Sequence, residues 1–310
     1  MDKAREELLT WSKTPGILNP VDMGHWYKGE HFNPLPDRAT ALAEGAAGIL
    51  KGWLPARPII TRHTRVQALG SCFASYYVLW LADNGFNRDN RRSPYDALIR
   101  GNHFESPATV AQQFRWAAGE AKTENLLWVH SDKEELHATE QHRVALRDRL
   151  DSTDVIILTL GLSEVWYDKL TGEPLWRAVP ERLYDPQRHV FRVESFSDTK
   201  SHIQAIIRLR DTFWPGLKIV FSVSPIPLQA TFRPVSAVTA SSVSKALIRA
   251  ALDEALRERW NSVGETLFYF PSYEIVGSLP EPFGDDGRHV REEVVADVIH
   301  AFTRHYCELS

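Results

Sequence analysis

A three-layer α/β/α sandwich around a mainly parallel sheet is the fold class this sequence predicts, and three observations carry it. Residues 155–160 (VIILTL) and 218–223 (KIVFSV) are continuous apolar runs of strand length. Strands covered by helices on both faces read in this way, whereas a half-exposed strand alternates. Helical patterns separate the runs, and alternation of strand and helix at this spacing builds parallel sheets.

In chain order, residues 1–60 carry scattered aromatic residues and prolines, as in Gly24-His25-Trp26-Tyr27 and Phe32-Asn33-Pro34, with one helical stretch near 38–54. This segment reads as an N-terminal arm packed on a main domain of residues 61–310, its aromatic rings serving as packing anchors. A short apolar run at 66–69 leads into Gly70-Ser71-Cys72-Phe73-Ala74 and a helix. The 155–160 strand ends at Gly161. Two alternating runs, 173–180 and 189–193, predict a β-hairpin insertion within 168–195. Ile203, Ile206, Ile207 and Leu209 mark a helix face over 201–213, which Trp214-Pro215-Gly216 stops. The 218–223 strand ends at Ser224-Pro225, a helix covers 244–260, a strand 267–270 and a closing helix 290–306. Ligands of such sheets lie beyond the carboxyl ends of the strands. Ser71, Gly161 and Ser224 therefore converge at one edge, with the hairpin above it.

Composition narrows the function. The chain has 310 residues and a formal charge of -4, so no basic excess drives binding to nucleic acid. Its charged first ten residues lack a signal-peptide core, and no run approaches the ~20 apolar residues of a membrane span. A cytoplasmic location is expected. Cys72 and Cys307 offer neither a disulfide framework nor zinc spacing, and no His-x-x-x-His metal pair occurs. GxGxxG and GxxxxGK[ST] are absent as well, so neither metal nor cofactor is expected.

Two features remain that carry chemistry. A serine at a strand-to-helix turn sits at the positive end of the helix dipole, where an alkoxide or oxyanion is least costly. Ser71 is thus a candidate nucleophile, the alternative being a plain helix cap. Asp285-Asp286-Gly287-Arg288-His289 precedes the last helix, and Asp286-x-x-His289 presents an acid and a base together. A serine hydroxyl needs an imidazole to take its proton, and an acid to hold that imidazole in the right tautomer. The chain order is serine, aspartate, histidine.

These residues resemble the GSCFA family within the broader SGNH/GDSL hydrolase-like superfamily. The likeness covers about 66–306, through the motif at 70–74, Leu160-Gly161-Leu162-Ser163-Glu164-Val165-Trp166, Val223-Ser224-Pro225-Ile226-Pro227-Leu228, Ser244-Lys245 and Phe270-Pro271-Ser272-Tyr273. The resemblance implies a flavodoxin-like fold, Ser71 as nucleophile and Asp286 with His289 as acid and base. Better characterised SGNH enzymes complete an oxyanion hole with a glycine amide and an asparagine side chain. Here the corresponding blocks read Ser93-Pro94-Tyr95-Asp96 and Gly161-Leu162-Ser163-Glu164. The expected hole is therefore the amides of Ser71 and Cys72 with Gly161 or the Ser163 hydroxyl. Glu164 either pairs with an arginine near Trp176-Arg177 or Arg188 or contacts a substrate hydroxyl. Cys72 is read as a small packed residue in place of a thiol nucleophile.

The leading function is a serine-dependent acyl-ester hydrolase or O-acyltransferase. It would move an acetyl or similar small acyl group on a carbohydrate or small-molecule hydroxyl through an acyl-serine. The alternative is a catalytically weak binding protein for carbohydrates or metabolites. Neither nucleic acid nor membrane is an expected partner, and the arm suggests a homodimer.

Overall fold

The computed structural model describes residues 33–36, 40, 44–87, 95–96, 104–125, 129–130 and 135–309. Met1–Ala43 and Glu44–Ser310 separate into two compact units. The motif at 24–27, Phe32, and Ser93 with Pro94 lie outside the described residues. Residues 44–60, read from sequence as arm, belong to the second unit: Leu50 and Ile60 are fully buried in its core, and Ile60 bridges Cys307.

After a short helix at Ala46–Leu50, the second unit runs through β1 (Val66–Gly70), α1 (Cys72–Asp83), α2 (Pro107–Ala118), a small antiparallel pair of Val129–His130 with Glu135–Leu136, and α3 (Glu140–Asp151). β2 (Val155–Leu160) leads into the pair β3 (Glu164–Asp168) and β4 (His189–Val193), then α4 (Phe196–Phe213). β5 (Lys218–Val223), α5 (Ala237–Arg257), β6 (Leu267–Tyr269), α6 (Ser272–Ser278) and α7 (Glu292–Tyr306) complete the order.

The main sheet runs β1-β2-β5-β6, and every neighbouring pair is parallel. All six residues of β2 are buried, as the unbroken apolar run requires of a strand covered on both faces. Ile156, Leu158 and Leu160 pack with residues of α2, α3, α4 and α5, while Val155 and Ile157 pack with α1, α6 and α7. Strand pleating sends alternate side chains to opposite faces. The protein is thus α/β, with helices on both sides of a parallel sheet.

Some elements differ from the sequence expectation. α4 starts at Phe196 because the Ser195 hydroxyl and the Asp198 carboxylate cap each other's amides, adding a polar first turn to the apolar stripe. α5 likewise starts at Ala237, capped by Ser236. The hairpin exists, but its first strand is Glu164–Asp168 rather than the run at 173–180. Pro174 and Pro180 remove ladder donors from that run. It docks instead on α2, where the Arg115 guanidinium meets the Glu173 carboxylate at 2.7 Å and the Gln112 amide donates to Glu173 at 3.0 Å.

Candidate active site

The site starts from a glycine. Gly70 ends β1 with φ of +132°, and a Cβ there would fall 2.2 Å from the Thr159 carbonyl oxygen on β2. Only glycine lets the strands lie this close while the chain turns outward. The next amide, Ser71 N–H, donates to Thr159 O at 3.2 Å and to Thr159 Oγ1 at 2.9 Å. Ser71 is the N-cap of α1: its Oγ accepts from the Phe73 amide at 3.2 Å and lies 3.1 Å from Thr159 Oγ1. The capping role is therefore real. It places the hydroxyl at the helix N-terminus, and Ser71 is only 2% exposed.

The second half stands in the loop before α7. Asp286 Oδ1 accepts from the amides of Arg288 at 3.0 Å and His289 at 2.9 Å, while Oδ2 lies 2.5 Å from His289 Nδ1. The Arg288 amide, the His289 ring and the His289 amide together hold the Asp286 carboxyl down at about 2. A carboxylate facing Nδ1 fixes the proton there and leaves the Nε2 lone pair outward, the tautomer a general base requires. The loop is closed by Gly284 N–H donating to His289 O at 2.8 Å and by a bridge between Phe283 and Val290.

The acid and base are brought together; the serine and the base are not hydrogen-bonded. Ser71 Oγ is engaged with Thr159 and Phe73, and His289 Nε2 lies 3.2 Å from Arg288 Nη1. Arg288 thus occupies the lone pair that a serine proton would use.

The expected oxyanion hole needs correction. The Ser71 amide is spent on Thr159, and the Gly161 amide donates to the Glu105 carbonyl at 2.7 Å. The Ser163 hydroxyl, fully buried, bonds Ser244 Oγ at 3.0 Å. Of the four expected donors, the Cys72 amide at the first position of α1 is the one with no acceptor outside its own residue among the described residues. The Cys72 thiol is pushed up by burial and by the Glu105 carboxylate, which keeps it protonated.

Glu164 pairs with neither expected arginine. Thr231 Oγ1 donates to its Oε2 at 2.7 Å and Arg233 stands 3.8 Å from its Oε1, so it braces the loop after β5. Arg188 instead meets Asp168 at 3.0 Å. Sequence reasoning gave no role to Glu105, to Arg288 or to the buried Lys245 of the Ser244-Lys245 motif. Arg288 was visible between the acid and the base of the 286–289 motif; Glu105 carried no local signal.

Lys245 is 3% exposed and donates to Gly161 O at 3.1 Å and Ile226 O at 2.8 Å, tying the ends of β2 and β5 together. Burial lowers its amine from 10.5 to about 8. Between those values the unfolded chain binds the extra proton, so stability rises with pH across this window. Urea unfolding should show the wild type gaining about 2–3 kcal/mol over Lys245→Met between pH 7.5 and 10. Parallel pH curves for the two proteins would contradict this.

A cavity of about 340 Å³ adjoins the loop, its wall including Glu105, Glu164, Trp166 and Arg288. Among the described residues, no cluster of three or more His, Cys, Asp or Glu is placed to hold a metal ion. Among them, too, no helix is long and apolar enough to cross a membrane.

The GSCFA family profile matches residues 65–302, from the foot of β1 into α7. The chain belongs to the GSCFA family. No curated protein matches it. Among solved structures, this GSCFA chain is similar to a protein from Parabacteroides merdae described as a GDSL-like lipase, with 10% identity, TM-score 0.39, and 82% of this chain and 98% of that chain covered. It is similar also to a family 3 carbohydrate esterase from Clostridium thermocellum, with 11% identity, TM-score 0.38, and coverage of 79% and 94%. A GDSL-like lipase from Bacteroides thetaiotaomicron aligns with 10% identity, TM-score 0.37, and coverage of 78% and 86%.

Proposed function

We propose that this GSCFA protein is a serine-dependent acyl-ester hydrolase or O-acyltransferase. It acts on an acetyl or similar small acyl group carried by a carbohydrate or small-molecule hydroxyl. The observation that carries the reading is the Asp286–His289 contact at 2.5 Å, which turns an unprotonated Nε2 outward, in a fold that holds Ser71 Oγ at a helix N-terminus.

In this reading Ser71 Oγ attacks the ester carbonyl carbon and its proton passes to His289 Nε2, once Arg288 has given up that nitrogen. The Cys72 amide, aided by the α1 dipole, takes the developing oxyanion. Collapse breaks the bond to the alcohol, which leaves with the proton from His289, and the acyl group stays on Ser71. Water or an acceptor hydroxyl then gives its proton to His289 and attacks the acyl-serine, restoring Ser71. A hole with one free amide lacks a donor worth ~2.7 to 4 kcal/mol elsewhere, which fits a slow or specialised enzyme.

The Arg288 contact favours a second reading, a binding protein in which Nε2 stays blocked. A fluorophosphonate probe separates the two. On the enzyme reading it labels the wild type at one site, and Ser71→Ala loses the label. No labelling of a folded wild type, or labelling retained in Ser71→Ala, would favour the binding protein. Acyl-enzyme decay with and without added alcohols distinguishes transfer from hydrolysis.

A further inference from the structure

The cavity beside the 286–289 loop is bounded by the β3–β4 hairpin, the start of α2 and the loop after β5. Three polar atoms of its lining residues are buried without a hydrogen-bond partner among the described residues: Glu164 Oε1, Trp166 Nε1 and Arg288 Nε. The Glu164 side chain is 4% exposed, and its Oε1 is 3.8 Å from Arg233, an ion pair beyond hydrogen-bonding reach. Buried polar atoms without a partner are rare in folded proteins, so three around one cavity point to a ligand that satisfies them.

The set contains one acceptor and two donors. A hydroxyl, which both donates and accepts, matches it; an acyl chain would leave all three unpaired. A cationic ligand gains from Glu164 but meets Arg288 on the same wall, and an anionic one meets Glu164. A neutral polyhydroxyl ligand is what remains.

The rest of the wall is aromatic. Trp166 lies 5.0 Å from Phe232 and 5.6 Å from Phe191 between ring centroids, and Phe191 lies 5.4 Å from Phe232. Phe232 is 56% exposed while lining the cavity, so apolar ring surface there is open to a ligand. The C–H face of a pyranose covers such a ring while its hydroxyls reach the polar atoms. A volume of about 340 Å³ is at the small end for ligand sites, suited to a short saccharide.

We infer that this cavity is a saccharide subsite. It binds a pyranose ring through the aromatic trio, with Glu164 accepting a bond from a sugar hydroxyl and Trp166 and Arg288 donating to others. This rests on the acyl-ester reading for the ring's role as the alcohol part of the ester. The link is Arg288, whose Nη1 lies 3.2 Å from His289 Nε2 while its Nε is one of the unpaired atoms. A sugar held here has its esterified hydroxyl on the side of the base.

Binding is read on full-length Ser71→Ala protein, which cannot turn over an ester, so the result does not depend on the serine chemistry. A panel of methyl pyranosides (xyloside, glucoside, galactoside and N-acetylglucosaminide) is tested by saturation-transfer difference NMR and calorimetry against hexanoate as an acyl-chain mimic. At least one glycoside should receive saturation at its ring protons and bind at least tenfold more tightly than hexanoate. Adding Glu164→Gln, or Trp166→Phe, which keeps an aromatic ring but removes the N–H, should weaken that glycoside about tenfold in protein that circular dichroism shows to be folded. The inference is overturned if hexanoate binds and no glycoside does, if no glycoside binds, or if both folded variants bind as tightly as the parent. Phosphonate labelling of the wild type reports on Ser71 separately. Labelling without glycoside binding removes the subsite alone, and glycoside binding without labelling leaves the subsite and removes the esterase.

Discussion

Gly70→Ala is expected to lower the unfolding free energy by about 3–5 kcal/mol, or to prevent folding outright. Two penalties coincide. The backbone there has φ of +132°, a region that side chains with a Cβ rarely enter, and the new methyl would sit 2.2 Å from Thr159 O and 2.4 Å from Thr159 Oγ1. The carbonyl cannot retreat, because Thr159 lies within β2 between β1 and β5 and accepts from the Ser71 amide. Any relief must pull β1 off β2, and Ser71 would move with it. Urea unfolding followed by circular dichroism checks this, and a loss below about 1 kcal/mol would show that the close approach is not needed.

The second large effect is catalytic. On the proposed acyl-ester reading, Asp286→Asn should reduce turnover of an aryl acetate by about 10⁴-fold while leaving the loop folded. An asparagine oxygen can still accept the Arg288 and His289 amides that bond Asp286 Oδ1. Its NH₂ group, facing Nδ1, would force the ring proton onto Nε2 and remove the lone pair that receives the serine proton. The carboxyl, held at about 2, is ionised throughout the neutral range. What it adds to the loop is fully present above the ordinary carboxylate value near 3.8 and fades only as pH falls through about 2. An acid limb in the pH–rate profile above pH 4 therefore does not come from Asp286. Asp286→Asn retaining a tenth of wild-type turnover would refute the acid–base assignment.

How far the sequence reached depends on whether a contact is local. β2 and β5 were legible to the residue, since burial on both faces leaves an unbroken apolar run. Asp286 and His289 were legible because three residues of loop suffice to pair them. α2 escaped because its buried face includes Gln112 and Gln113, polar residues whose bonds to Glu173, Trp176 and Tyr95 come from elsewhere in the chain. The oxyanion donors were misjudged for the same reason. Whether the Gly161 amide is free depends on the Glu105 carbonyl, and whether the Ser163 hydroxyl is free depends on Ser244, 81 residues away. Glu164 found its partners 67 residues on, at Thr231, and not within the hairpin.

The hairpin leaves and rejoins the domain at one point. Glu164 is paired with Val193, and the next amide, Glu194 N–H, donates to Ser163 O at 2.7 Å. The excursion is a closed loop whose ends meet, and Glu173 and Trp176 anchor it on α2, so only its exposed stretches can drift without disturbing the core. The Ser71 turn and the cavity wall answer to different constraints: one is locked by strand packing at Gly70, the other by the stem of the hairpin and its anchors on α2. On the proposed reading, changes confined to the exposed part of the hairpin would alter what is recognised while the Ser71 turn stays in place.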